Sequence, residues 1–159
     1  MRSPIREEDK ERANELMEKY GSTDWYSWQN KNWGTKWGDC HTELLDEGEF
    51  EDGTYILTYS FDTPWGTATA AFEYISEQFP TLIFEFHYDE EAGFFQGNEV
   101  IYEGGVVYEG MFQPCEYPVP FPDDPEKEDE WNEKESEWRH YEQCKIDTIT
   151  DAVVASLKK

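Results

Sequence analysis

The sequence predicts an α+β protein in which helices cover one face of a mostly antiparallel sheet. Four segments have the period-two pattern and the β-branched and aromatic content of strands, and four others have the apolar spacing and end signals of helices. The chain is acidic, but 17% of its residues are Phe, Trp or Tyr, a content that disordered acidic chains lack. With 159 residues, it should form one folded domain with at most a small appendage.

The predicted helices are recognised first by their end signals. In the first helix, Ser3 suits the N-cap and Pro4 the first turn. In the second, Thr63 suits the N-cap and Pro64 the first helical position. The third and fourth are recognised by aromatic and aliphatic residues at helical spacing. The four helices are expected at 3–20, 63–79, 126–142 and 146–157.

The predicted strands are bounded by turn signals. The first comes directly after Asp52-Gly53, and the last two are joined through Gly104-Gly105, a pattern typical of a tight hairpin. Between these signals, apolar and polar residues alternate as they do in a half-buried strand. The four strands are expected at 54–61, 81–88, 94–102 and 106–112.

The composition changes abruptly after Phe112. Five of the eight prolines lie between Pro114 and Pro125, which predicts an extended connector. We therefore expect three parts: an α+β core with an N-terminal helix at 1–112, a Pro-rich connector at 113–125, and a helical extension packed on the core at 126–159.

The charge of the chain is large and unevenly distributed. There are 37 Asp and Glu against 13 Lys and Arg, a formal net charge of −24, and no Lys or Arg lies within residues 37–126. Direct binding of DNA, RNA or an anionic membrane is not expected, because Lys and Arg supply most of that affinity. The expected partner is a basic protein surface. The alternative is a surface that is acidic only for solubility.

The sequence carries no signal for a membrane or for export. No apolar run reaches the roughly 18 residues that span a bilayer, and the first residues lack the apolar region of a secretory signal. The three cysteines are widely spaced and odd in number, which favours reduced thiols. We expect a soluble protein in the cytoplasm of its host cell.

Clustered carboxylates are the candidate partner-binding residues. A helix held by tryptophans keeps its carboxylates in place, so little ordering entropy is lost on binding. The cluster expected to dominate lies around the third predicted helix and consists of Asp123, Asp124, Glu126, Glu128, Asp129, Glu130, Glu133 and Glu137. A second cluster consists of Asp46, Glu47, Glu49, Glu51 and Asp52, which lack the spacing of a calcium-binding loop.

Four of the seven tryptophans lie close together, at Trp25, Trp28, Trp33 and Trp37. Burial of a tryptophan contributes a large free energy, so we expect this tryptophan block to belong to the core. The alternative is a recognition surface for a sugar, a base or a peptide.

Catalytic and metal-binding patterns are weak. Glu85, His87 and Asp89 share one strand face, an arrangement that simple alternation produces. It is compatible with a solvated face, with a pH-sensitive contact and with an acid/base trio. The spacing of Cys40, His41 and the other cysteines and histidines matches no zinc motif. We therefore expect no catalytic residues, no metal and no cofactor, and no enzymatic activity.

The order of motifs resembles a known family. The block NWGTKW at 32–37, the sequence TPW at 63–65 and the final glycine-rich hairpin follow one another as in the YubB-type ferredoxin-like domain of phages and conjugative plasmids. The resemblance covers about residues 20–112. It implies a ferredoxin-like fold and a mobile-element origin, implies no activity, and does not extend to the acidic helix from residue 126.

Two classes of function follow. The first is an interaction protein that mimics nucleic acid and occupies the basic surface of a host defence effector, such as a CRISPR or restriction complex. A homodimer formed through the acidic helix would lengthen such a mimic. The second is a small-ligand-binding module or enzyme that uses the tryptophan block and the sheet face, with acidity as background. A contiguous acidic stripe favours the first class, and an aromatic pocket with convergent polar groups favours the second.

Overall fold

The computed structural model describes residues 7–36, 38 and 40–158. Contacts group the chain into two compact units, Met1–Ala71 and Phe72–Lys159. The fold is α+β, as the sequence predicted, with helices and antiparallel sheets. No helix in the described part of the chain is long and apolar enough to cross a bilayer.

In its described residues, the first unit contains two helices and a β-hairpin. The first predicted helix is confirmed over residues 7–20, whereas its expected start at Ser3 and Pro4 lies outside the described residues. The elements of this unit are α1 (Glu7–Tyr20), α2 (Trp25–Trp33), β1 (Cys40–Glu49) and β2 (Tyr55–Asp62).

Helix α2 was not predicted, although both of its ends carry local signals. The Asp24 carboxylate accepts a hydrogen bond of 2.8 Å from the Ser27 amide and so caps the helix. Gly34 ends it in the left-handed conformation, with φ of 80°. The cap hydrogen bond from Ser27 holds the pKa of Asp24 below its ordinary value.

The β-hairpin of β1 and β2 is antiparallel, with Leu44 opposite Tyr59 and Glu49 opposite Tyr55. Strand β2 confirms the first predicted strand. Strand β1 was missed because Asp and Glu are depleted in strands, and here the pairing with β2 outweighs that preference. The sequence suggested that all strands share one core, but β2 pairs with β1 and the other described strands form a separate sheet.

The second unit is built on a three-stranded antiparallel sheet in the order β3-β4-β5, which confirms the three remaining predicted strands. Its register is continuous between β3 and β4, where Phe86 lies opposite Glu99, and β4 is the central strand. Most of helix α3 also belongs to this unit. The elements are α3 (Thr69–Gln78), β3 (Phe84–Asp89), β4 (Gln96–Tyr102), β5 (Gly105–Phe112) and α4 (Glu128–Leu157), with 3-10 turns at Pro114–Glu116 and Pro125–Lys127.

The core of the second unit lies between β4 and α4, where Val100, Ile101 and Ile146 are buried. Because strand residues alternate between faces, the face that meets α4 carries Val100 and the opposite face carries Ile101. On that opposite face, the ring of Phe72 from α3 lies 4.6 Å from the ring of Phe86. Helices therefore contact both faces of this sheet, whereas the sequence suggested one.

Two predicted helix boundaries were wrong. Helix α3 begins at Thr69 and not at Thr63, because Trp65 has a left-handed φ of 64° that a helix cannot contain. The Thr63 hydroxyl donates to the Gly66 carbonyl and closes a turn instead of capping a helix. The two predicted C-terminal helices form the single 30-residue helix α4. Residues 128–157 contain no Gly or Pro that would interrupt it.

Candidate functional site

The candidate partner-binding surface is the acidic face of α4, formed by Asp129, Glu130, Glu133 and Glu137. All four residues are exposed. Successive residues of a helix turn by about 100° and rise about 1.5 Å, so these four positions share one side of α4 and span about 12 Å. They form an ordered row of negative charge.

The opposite side of α4 is held by an aromatic cluster. The Tyr117 ring contacts those of Trp131 and Trp138, with centroids 5.4 Å from each. The Phe121 ring lies 5.1 Å from that of Trp131, whose Nε1 donates a hydrogen bond of 2.9 Å to the Val119 carbonyl. The Pro-rich connector is thus fixed along the helix, and the acidic face has an ordered support.

The remaining carboxylates of the first cluster lie where α4 begins. Asp123, Asp124 and Glu126 are exposed, whereas Glu128 is half-buried and lies on a different side of the helix from the acidic face. Asp124 Oδ1 accepts a hydrogen bond of 3.1 Å from the Glu126 amide and caps the 3-10 turn Pro125–Lys127. Glu128 is therefore the member of the predicted set least able to reach a partner.

Lys134 lies beside the acidic face. Lys134 Nζ is 2.6 Å from Glu130 Oε1, and this hydrogen bond holds the pKa of Glu130 below its ordinary value. In the described part of the chain, Asp129, Glu133 and Glu137 have no ion-pair partner within 4.0 Å. Three of the four carboxylates therefore keep their charge available for another molecule.

The second acidic cluster lies on the hairpin of the first unit, and all five of its residues are exposed. Asp46, Glu47 and Glu49 belong to β1, and Glu51 and Asp52 belong to the turn. Three of these carboxylates accept hydrogen bonds within the described hairpin. Asp52 accepts one of 2.8 Å from a turn amide, Glu47 accepts one of 3.3 Å from a tyrosine hydroxyl of β2, and Asp46 accepts one of 2.9 Å from the Glu47 amide.

The trio Glu85, His87 and Asp89 lies on β3, on the side that α4 covers. His87 Nε2 lies 2.9 Å from Glu85 Oε1, and this hydrogen bond raises the pKa of His87 above its ordinary value, with a further contribution from the charge of Asp147 on α4. Asp89 instead lies 3.8 Å from the Arg139 guanidinium of α4. The structure brings Glu85 and His87 together and places Asp89 in a different ion pair.

A polar network that the sequence did not reveal lies next to His87. Asn98 on β4 is completely buried and bonds to Asp147, Thr150 and Gln143 of α4. The one feature of the sequence that indicates this network is an Asn inside an otherwise strand-like segment. This network fixes the helix that carries the acidic face.

The tryptophan block is not part of the core in its described residues, so that prediction was wrong. Trp25 is 63% exposed, and Trp28 and Trp33 are half-buried, packed edge to face with ring centroids 5.6 Å apart. Trp37 lies outside the described residues. In the described part of the chain, α2 contains no buried residue, and the buried apolar residues lie in the second unit.

The cysteines and histidines do not converge. Cys144 Sγ lies 3.5 Å from His140 Nε2, one turn away on α4, while Cys40 and Cys115 lie in different units. Among residues 7–36, 38 and 40–158, no group of three or more His, Cys, Asp or Glu is arranged to hold a metal ion.

Comparison with known proteins identifies one family. A family model described as a ferredoxin-like domain in Api92-like protein matches residues 32–138, which cover β1 to the first third of α4. No curated protein and no solved structure matches the chain significantly.

Proposed function

The chain belongs to the family of ferredoxin-like domains in Api92-like proteins, and we propose that it is an acidic interaction protein that mimics nucleic acid. In this proposal it occupies the basic DNA- or RNA-binding surface of a host defence complex of the CRISPR or restriction type. The resemblance of its motifs to the YubB-type domain supports an origin in a phage or plasmid and action in the host cytoplasm.

The observation that carries the proposal is the acidic face of α4. Its four carboxylates span about 12 Å, and the three without an ion pair in the described chain, Asp129, Glu133 and Glu137, follow one another about every 6 Å along the helix axis, whereas one strand of DNA carries a phosphate about every 3.4 Å. A basic groove shaped for a phosphate row can therefore pair with this face at about every second phosphate position.

The contacts that hold α4 in place increase the affinity of the acidic face for a basic partner. Binding orders side chains and loops, and this ordering costs free energy. Here the aromatic cluster and the buried network on β4 already fix α4 before any partner arrives. The net charge of −24 attracts a basic partner over distances of about a Debye length and raises the rate of encounter.

The test is recovery of the partner. Tagged protein, incubated with nuclease-treated lysate of a bacterial host, should retain a basic nucleic-acid-binding protein. Added duplex DNA or guide RNA should compete with that capture, and salt should weaken it steeply, because ion pairs are exchanged for counterions.

Two outcomes would contradict the proposal. One is tight binding of bare DNA by the protein itself at physiological salt. The other is capture of a partner whose binding is unchanged by competing nucleic acid and by salt between 50 and about 300 mM, a range over which phosphate-type contacts lose orders of magnitude in affinity.

A further inference from the structure

A cleft of about 310 Å³ lies within the first unit, outside both acidic clusters. Helix α2 supplies Tyr26 and Asn30, the segment after α2 supplies Thr35 and Lys36, and the turn after β2 supplies Trp65. The cleft thus joins residues 34–36 and residues 64–65, which are about 30 residues apart in the sequence. Its volume lies at the lower end of the range of small-molecule sites, about 300–1,000 Å³.

Trp65 is the unusual residue of the cleft. It is 85% exposed, the highest value among the exposed large hydrophobic residues that the structure describes, and its φ of 64° lies in the left-handed region. A bulky residue in this region is strained, and exposure of the indole forgoes the free energy of burial. Strain of this kind is concentrated at binding sites, where the surroundings hold the residue in place. The turn closed by Thr63 and Gly66 provides that support.

A second ring and an amide accompany Trp65. Tyr26 is 48% exposed and lies in the first turn of α2, whose start is fixed by the Asp24 cap. Asn30 lies one turn later, and its Nδ2 donates a hydrogen bond of 2.7 Å to the Tyr26 carbonyl. This hydrogen bond fixes the orientation of the Asn30 amide, so the rings and the amide are held in place by the backbone around them.

We propose that this cleft binds a neutral saccharide. The C–H face of a pyranose ring is apolar and stacks on exposed Trp and Tyr rings, while the hydroxyl groups at its edge exchange hydrogen bonds with amide, hydroxyl and ammonium groups. The cleft offers both kinds of contact: Tyr26 and Trp65 supply the rings, Asn30 and Lys36 supply polar groups, and the buried Thr35 forms part of the wall.

Other small ligands fit the charges less well. A quaternary ammonium or methylated lysine would meet the positive charge of Lys36 in an otherwise aromatic cage. A nucleotide would bring phosphate to a chain of net charge −24, with one base lining the cleft. A neutral saccharide is repelled neither by Lys36 nor by the negative charge of the chain.

The test uses the full chain on an array of neutral bacterial and plant saccharides, with saturation-transfer NMR on the best ligands. Trp65→Ala and Tyr26→Ala should each weaken binding about tenfold or more, as loss of a central aromatic contact does. Tyr74→Ala is the matched control, because Tyr74 is 66% exposed on α3 and does not line the cleft. It should bind as the wild type does.

Trp65→Gly separates binding from folding. Glycine adopts a φ of 64° without strain, so this variant should be at least as stable as the wild type and should still lose saccharide binding. The proposal is overturned if the protein binds no saccharide on the array, or if Trp65→Gly still binds the saccharides that the wild type binds. It is also overturned if uridine or choline displaces a bound saccharide at the same concentration as the free sugar does.

Discussion

Asn98 on strand β4 donates a hydrogen bond of 2.8 Å to Asp147 on helix α4, at a site where Asn98 is completely buried. The same amide nitrogen lies 3.0 Å from Thr150 Oγ1, and Gln143 Nε2 donates to Asn98 Oδ1 at 2.9 Å. Buried amides must be satisfied in this way, so the network admits one register of the helix on the sheet. The acidic face of α4 is positioned by this contact.

Asn98→Ala should destabilise the second unit. The substitution removes the donor to Asp147 and leaves the Gln143 amide with one partner fewer, which costs about 1–3 kcal/mol when the affected groups are buried. Urea unfolding followed by circular dichroism measures the loss. Asn132→Ala, at an exposed position of α4, is the control and should change stability by less than about 0.5 kcal/mol. Equal stability of the two variants would show that the network does not hold α4.

Gly110→Ala should also destabilise the second unit. A methyl group at Gly110 would meet the Tyr108 hydroxyl and lie 3.0 Å from Cγ2 of Ile146 on α4, so the helix or the strand would have to shift. Overpacking of this kind costs about 1–3 kcal/mol. Gly105→Ala is the matched control on the same strand, since nothing lies within 4 Å of the added methyl group. Thermal unfolding of the two variants compares them directly, and a similar Tm for both would argue against close packing of α4 on β5.

His87 should make stability depend on pH in a defined direction. Its hydrogen bond to Glu85 raises its folded pKa above the ordinary value of 6.5, so the folded state binds the proton more tightly than the unfolded state. The resulting stabilisation is fully present below pH 6.5 and is lost as pH rises through the raised pKa. Glu85 on β3 and Asp147 on α4 are the charged groups that face the imidazole.

His87→Gln isolates this contribution from the many other carboxylates. The stability difference between wild type and variant, measured by urea unfolding at pH 5.5 and pH 8.5, should be larger at pH 5.5. A difference that is constant, or that grows at pH 8.5, would mean that His87 is not protonated next to Glu85 in the folded protein.

The sequence predicted well the features that depend on local pattern. Alternation identified four of the five strands in the described part of the chain, and proline and tryptophan spacing identified the connector and the aromatic side of α4. Strand β1 was missed because its acidic residues are poor strand formers and only the partner strand makes it favourable. The start of α3 was missed because the Thr-Pro signal is equally suited to a turn, and the backbone of Trp65 decides between them.

The candidate sites likewise divide into features that local sequence pattern predicts and features that it does not. Exposure of the α4 carboxylates follows from helical spacing relative to Trp131 and Trp138, so the sequence predicted most of that face, and Glu128 is half-buried because it lies on a different side of the helix. The Asn98 network and the cleft at Trp65 join residues about 50 and about 30 positions apart. No local pattern reports such contacts, and the expected burial of Trp25 failed because residue type alone does not show whether another layer covers a helix.

The most direct test of the central claim compares two triple charge reversals. Replacement of Glu126, Asp129 and Glu133 by Lys alters the start of α4, and replacement of Glu47, Glu49 and Glu51 by Lys alters the hairpin by the same charge.

Each triple variant changes the net charge from −24 to −24 + 6 = −18, so a nonspecific charge effect would be equal in both. All six positions are exposed, and circular dichroism should show both variants folded. The affinity for the basic partner captured from host lysate is the measurement. We predict a loss of about two orders of magnitude or more for the α4 variant and a much smaller loss for the hairpin variant. Wild-type binding by a folded α4 variant would contradict the claim that this face is the interface.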